Sequence, residues 1–147
     1  MRYSKYKFKF YLNASHAIYI NGSMGERHPH TWEITLYVLK EREEFVQFSN
    51  LEEKINEWMK KYQDKFINQI APFDTINPTI ENCCDFFKEN LKIILQNEGW
   101  ILLSIEISET PTRSYIVNLL EEDGGTSLDN SSNNIADNIL NRILGNR

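Results

Sequence analysis

No apolar run in this sequence approaches the ~20 residues that a membrane-spanning helix needs, so a helical membrane span is not expected. The opening stretch MRYSKYKFKF also lacks the apolar core of a signal peptide, and the expected location is cytoplasmic. Cysteine is scarce. The two present, Cys83 and Cys84, are adjacent, and neighbours in sequence seldom bond to each other, so no disulfide framework is indicated and both read as small buried side chains on a helix. Basic residues are outnumbered, with 16 Lys and Arg against 21 Asp and Glu, and the lysines are scattered among the acids. A net charge of -5 with no basic stripe argues against nucleic acid as a partner. No solenoid-type repeat is present. The 147 residues suit one domain with an ordinary core, and a second catalytic domain is not expected.

Histidine is scarce too, yet the three that occur are arranged. His28-Pro29-His30 stands where a β-strand should begin, and His16 closes a preceding strand. Residues i and i+2 of a strand share a face, so His28 and His30 can converge on one ion. Pro29 supports the extended reading, because the residue before a proline is pushed away from helical geometry. His16 would join them if the two strands form a hairpin, and three neutral imidazoles are a full protein ligand set for a catalytic zinc. The alternative is that His-x-His is a chance surface feature.

Residues 5–12 alternate Lys5, Lys7 and Lys9 with Tyr6, Phe8 and Phe10, the period of a strand with one buried face. Residues 31–39, TWEITLYVL, are rich in β-branched and aromatic types and predict the second strand. Between them, Asn21-Gly22-Ser23-Met24-Gly25-Glu26 has turn chemistry and the length of a working loop rather than a tight hairpin. Ser49-Asn50 ahead of Leu51, Ile55, Trp58, Met59 and Tyr62 predicts a capped amphipathic helix. Pro78-Thr79 ahead of Ile80, Cys83, Cys84, Phe87, Leu91 and Ile94 predicts a second. Strands follow over 100–107 and 114–120, linked by Glu109-Thr110-Pro111-Thr112. The order is strand, strand, helix, helix, strand, strand. Trp32, Trp58 and Trp100 fall on apolar faces and read as core.

From Glu121 the composition changes to EEDGGTSLDNSSNN, which cannot bury apolar area and reads as a flexible linker over 121–134. Ile135, Ile139, Leu140, Ile143 and Leu144 then make a short amphipathic stripe within 135–147, marginal unless it docks on something. A partner contact and a frayed terminus are both open for it.

Taken in order, several segments resemble the 6-pyruvoyl-tetrahydropterin synthase and 6-carboxy-tetrahydropterin synthase family. They are Ser15-His16, His28-Pro29-His30, Phe45-Val46-Gln47-Phe48, Phe66-Ile67-Asn68, Asn77-Pro78-Thr79-Ile80-Glu81-Asn82, and Ser108-Glu109-Thr110 with Tyr115. The resemblance covers roughly residues 5–120, within one domain spanning residues 1–120. It implies the α+β tunnelling fold, a four-stranded antiparallel sheet with two helices on one face, in the order β-β-α-α-β-β. It also implies Zn²⁺ held by His16, His28 and His30, and a pterin ring gripped by Glu109, with Thr110 beside it. A carboxylate can accept two parallel hydrogen bonds from the edge of a 2-amino-pyrimidinone. Read without the family, Glu109 would be a solvated carboxylate at a strand end. Family members assemble as trimers, commonly stacked into hexamers, with the pocket between subunits. Such pairing closes sheet edges otherwise left open.

The chain departs from the family at its proton-transfer groups. The family's cysteine before His-x-His is missing, with Met24 at one usual position, and Gln63-Asp64 stands where Asp-His is usual. A thioether cannot act as a base. Two readings follow. In one, the protein is a lyase acting on 7,8-dihydroneopterin triphosphate or a related pterin, with Glu26 as substitute base, Asp64 relaying protons, and Arg27 and Arg113 near the phosphates. In the other, it is a non-catalytic protein that keeps the metal and a pterin-like ligand.

Overall fold

The computed structural model describes residues 4–40 and 46–122. Phe45, the expected linker from 123 onward and the expected helix over 135–147 lie outside the described residues. Seven strands, three α-helices and a short 3-10 helix (Ile67–Gln69) are described: β1 (Lys5–His16), β2 (Tyr19–Ile20), β3 (Ser23–Met24), β4 (His28–Lys40), α1 (Phe48–Met59), β5 (Lys65–Phe66), α2 (Ile80–Asn97), β6 (Trp100–Thr110), β7 (Arg113–Asn118) and α3 (Leu119–Glu122). Strands β1, β4, β6 and β7 form the expected antiparallel meander.

The sheet is nevertheless five-stranded, in the order β5-β1-β4-β6-β7. The extra strand is two residues long and pairs parallel with Ala14 and Ser15. Its backbone pairing leaves no periodic signal that a sequence reading can detect. The loop expected between the first two strands contains a tight hairpin after all. Asn21 and Gly22 both have positive φ, 53° and 81°, the condition for a type I′ turn, and they join β2 to β3. The last strand also ends earlier than expected, at Asn118, and α3 turns away through residues assigned to the linker.

The inward face of β1 carries Phe8, Phe10 and Leu12, and that of β4 carries Trp32, Ile34, Leu36 and Val38. On β6 the inward parity switches from even (Trp100, Leu102) to odd (Ile105, Ile107). A register shift at Tyr37/Val38 accounts for the switch, because one inserted residue turns the chain to its other face. The two long helices lay Leu51, Ile55, Met59, Phe87, Leu91 and Leu95 on this surface, all within one core cluster. Each such buried side chain contributes ~1.5–3 kcal/mol from burial.

Thr79 caps α2, its hydroxyl accepting from the Asn82 amide at 3.2 Å. The start of α1 differs from expectation. Gln47, not Ser49, is the N-cap, and it makes no side-chain bond to the helix backbone. Its carboxamide oxygen instead accepts from Asn50 Nδ2 at 2.8 Å. Trp32 and Trp100 are buried and Trp58 packs against the core, while Cys83 and Cys84 are buried on α2.

Candidate metal centre

The hairpin of β1 and β4 brings the three histidines together at its end. His16 is directly opposite His28 in the register, and Ala14 is opposite His30, so all three imidazoles lie on the face that carries the core. Their ring centroids are 4.4, 4.9 and 4.8 Å apart, and one ligand atom from each lies within 4.8 Å of the others. The Trp32 indole packs beneath, edge-on to His16 and stacked on His30.

Hydrogen bonding fixes which nitrogen His16 and His28 offer. His16 Nδ1 is 2.8 Å from the Pro78 carbonyl, and His28 Nδ1 is 3.0 Å from the Glu26 carbonyl. A carbonyl oxygen only accepts, so each Nδ1 carries the proton and each Nε2 of the neutral ring keeps its lone pair. His16 Nε2 and His30 Nε2 are buried without a hydrogen-bond partner. Buried acceptors facing one another are costly unless a cation lies between them, so these residues fit a divalent metal bound by imidazole.

Burial lowers the pKa of His16, helped by the neighbouring His28 and His30 and opposed by the Pro78 carbonyl and Glu109. Burial likewise lowers that of His30, where Glu109 opposes it. Both folded-state values lie below the ordinary 6.5, so the unfolded chain binds more protons in that range. Stability from this source is fully present above pH 6.5 and is lost as pH falls through the folded values. The metal-free protein is therefore expected to melt at a lower temperature at about pH 5.5 than at about 7.5, and a His16→Asn variant to show a smaller decline. A melting temperature independent of pH in this interval would contradict the assignment.

Side-chain amides hold the outer edge of β1 around His16, and sequence reasoning missed them. Gln63 accepts from Asn13 N at 2.6 Å and donates to the Tyr11 carbonyl at 3.2 Å. Asn68 binds both the amide and the carbonyl of Ala17, at 2.9 and 2.7 Å. Asn77 does the same for Tyr19, at 2.9 and 3.0 Å. Each imitates one step of a neighbouring strand, which no local pattern in the sequence signals. Gln63 and Asn68 belong to the segment aligned with the family's dyad, and here they brace backbone.

The structure puts the other expected site residues in three places. Glu109 and Thr110 end β6, and Glu109 reaches the histidines: Oε1 is 3.8 Å from His16 Nε2 and 4.0 Å from His30 Nε2. Arg113, on the exposed start of β7, donates to Glu109 Oε2 at 3.4 Å. Arg27 is turned to β1, donating from Nε to Ser15 Oγ at 2.9 Å and covering the Phe66 ring at 4.5 Å. Glu26 is exposed, and only its carbonyl contacts the triad. Asp64 is exposed with φ 61°. It and His30 line one surface cleft of about 400 Å³.

A mixed α+β chain with an antiparallel sheet, two long helices on one face and three convergent imidazoles has the tunnelling fold. Residues 5–119 match the family model described as 6-pyruvoyl tetrahydropterin synthase. The chain belongs to that family. The fold is similar to that of Caenorhabditis elegans 6-pyruvoyl tetrahydropterin synthase, with a TM-score of 0.68, 15% identity, and 80% of this chain and 96% of that one covered. An uncharacterized protein from Wolinella succinogenes aligns with a TM-score of 0.61 and 14% identity over 80% of this chain and 99% of that one. A Plasmodium vivax 6-pyruvoyltetrahydropterin synthase, described as a catalytic-residue mutant with glutamate changed to alanine, aligns with a TM-score of 0.54 and 13% identity, over 80% of this chain and 98% of that one. A search of curated proteins finds no match. No helix among the described residues is long and apolar enough to cross a membrane.

Proposed function

We propose that the chain is a zinc-dependent 6-pyruvoyl- or 6-carboxy-tetrahydropterin synthase-like lyase whose substrate is 7,8-dihydroneopterin triphosphate or a related pterin. The observation that carries this reading is the convergence of His16, His28 and His30, with two Nδ1 atoms tied to carbonyls so that the Nε2 lone pairs face inward. When bound, zinc supplies Lewis acidity that polarises the hydroxyl and carbonyl oxygens of the substrate side chain.

The remaining steps fall to the chain itself. Glu109, beside Thr110, accepts the paired N–H groups of the pterin edge. Arg113, exposed and already paired to Glu109, and Arg27 meet the triphosphate. Glu26 takes the proton from the side-chain carbon, which suits a carboxylate adjacent in sequence to Arg27 and His28. Asp64 passes the proton on, because it stands in the segment aligned with the family's Asp-His pair. The Plasmodium vivax protein, whose catalytic residue is a glutamate, supports a carboxylate as base in this fold.

Assembly as a trimer or hexamer is part of the proposal. The outer edge of β7 has no strand beside it among the described residues, and Ile116 on it is 60% exposed. Exposed edges of this kind are closed by pairing between subunits.

A second reading has a specific observation behind it. Glu26 is fully on the surface, and Arg27 is committed to Ser15 and Phe66, which suits a non-catalytic protein that holds metal and a pterin-like ligand. Incubating the zinc-loaded protein with 7,8-dihydroneopterin triphosphate, with and without Glu26→Ala, separates the two. Triphosphate release and a new pterin, seen by mass spectrometry and lost in the variant, are expected. Absence of turnover in protein that holds zinc through the triad would reject the lyase reading in favour of the second.

A further inference from the structure

Glu109 presents a geometry that gripping a pterin does not require. Its side chain is only 9% exposed. The Oε1 atom is buried and has no hydrogen-bond donor, as are His16 Nε2 and His30 Nε2, 3.8 and 4.0 Å from it. Oε2 is separately held by Arg113 at 3.4 Å. Glu109 Oε1 and His16 Nε2 are thus both acceptors, since His16 has its one ring proton on Nδ1, engaged with Pro78, and His30 Nε2 beside them has no partner. They are also too far apart for hydrogen bonds to one another.

Donors bound at ~2.0–2.2 Å around a tetrahedral zinc lie ~3.4 Å apart, and the separations of Oε1 from His16 Nε2 and His30 Nε2, 3.8 and 4.0 Å, are close to that spacing. We infer that Glu109 Oε1 is a fourth protein ligand of the divalent metal when no substrate is bound, making the resting site a closed His₃Glu shell. This rests on the metal reading above and deepens it. Substrate binding would then require Glu109 to leave the ion. The freed carboxylate, still paired through Oε2 to Arg113, becomes available to the pterin edge. Coordinating the ion and holding the ring are successive states of one side chain.

The test uses the full-length protein stripped of metal, its Glu109→Gln variant and its His28→Ala variant. Zinc affinity is measured by competition with a chromophoric chelator, and cobalt(II) is used as a spectroscopic probe. Glutamine keeps the size of the side chain, and circular dichroism verifies that the variants fold. Glu109→Gln is expected to weaken zinc binding ~10–100-fold, at least the loss seen when groups supporting a metal site are removed. Azide, a small anion that coordinates cobalt only where a position can be taken, is the second readout. It should alter the visible spectrum of the variant at concentrations at least about ten-fold lower than those needed for the parent protein.

Equal zinc affinity and equal azide sensitivity in parent and Glu109→Gln, with metal lost in His28→Ala, would overturn the fourth-ligand assignment and leave the three-histidine site standing. Unchanged metal binding in His28→Ala would overturn both.

Discussion

Replacing His16 with alanine is expected to weaken zinc binding by a factor of at least ~60 and to destabilise the metal-free protein by about 2–4 kcal/mol. The first effect follows from sharing the ~10–16 kcal/mol of a zinc site among its donors, which assigns each ~2.5 kcal/mol or more. The second has nothing to do with metal. His16 is 0% exposed, its Nδ1 proton satisfies the Pro78 carbonyl, and its ring packs edge-on against Trp32. Alanine leaves that carbonyl without its side-chain donor beside a cavity, both costs being of order 1–3 kcal/mol. His28 is a contrasting control, since it is only half-buried at the start of β4. His28→Ala should lose metal to a similar degree yet cost the metal-free fold less than ~1 kcal/mol. Chelator competition and urea unfolding in EDTA measure the two quantities separately. Equal unfolding midpoints for metal-free parent and His16→Ala would contradict the packing role assigned to the ring.

Zinc itself should act as a large stabiliser. The proposed ligands come from separate strands, β1 and β4, and β6 contributes Glu109 close by. The folded state assembles them and the unfolded chain does not. At free zinc about 1,000-fold above the dissociation constant, binding to the folded state alone contributes ~4 kcal/mol. For a domain of this size, 1 kcal/mol moves the melting temperature by about 2–4 °C, so the rise should be roughly 8–16 °C. Differential scanning fluorimetry with zinc and then with excess chelator reads the shift, and His28→Ala should lack it. A melting temperature indifferent to zinc in the parent protein would remove the basis for a metal site at the triad.

Much of this was legible in the residues because it depends on period and parity. The alternation of Lys5, Lys7 and Lys9 with aromatic residues, and the i, i+2 spacing of His28 and His30, are properties of any extended chain, so β1, β4 and the shared face of the histidines follow from them. The Leu51, Ile55, Met59 spacing did the same for α1. What escaped notice depends on atoms far apart in sequence. The bond from His16 to Pro78 crosses 62 residues, and the amide braces from Gln63 and Asn68 cross about as many as one another, 52 and 51. No window of sequence contains both partners. Glu109 is the mixed case: resemblance marked it as important, but the direction of its Oε1 toward two imidazoles depends on how the end of β6 meets the hairpin.

The same braces have a geometric consequence for assembly. From Tyr11 to Tyr19 the outer side of the first strand and its continuation is spoken for, by Gln63, the short fifth strand, Asn68 and Asn77 in turn. An arriving strand can therefore gain backbone bonds only along residues 5–10. At ~3.4 Å per residue that is a berth of about 20 Å. The strand at the opposite margin, Arg113–Asn118, is 6 residues long, a matching length. In the proposed assembly, the side chains that steady the histidine triad would thus also act as a ruler, fixing how far one copy could slide along another before docking stops.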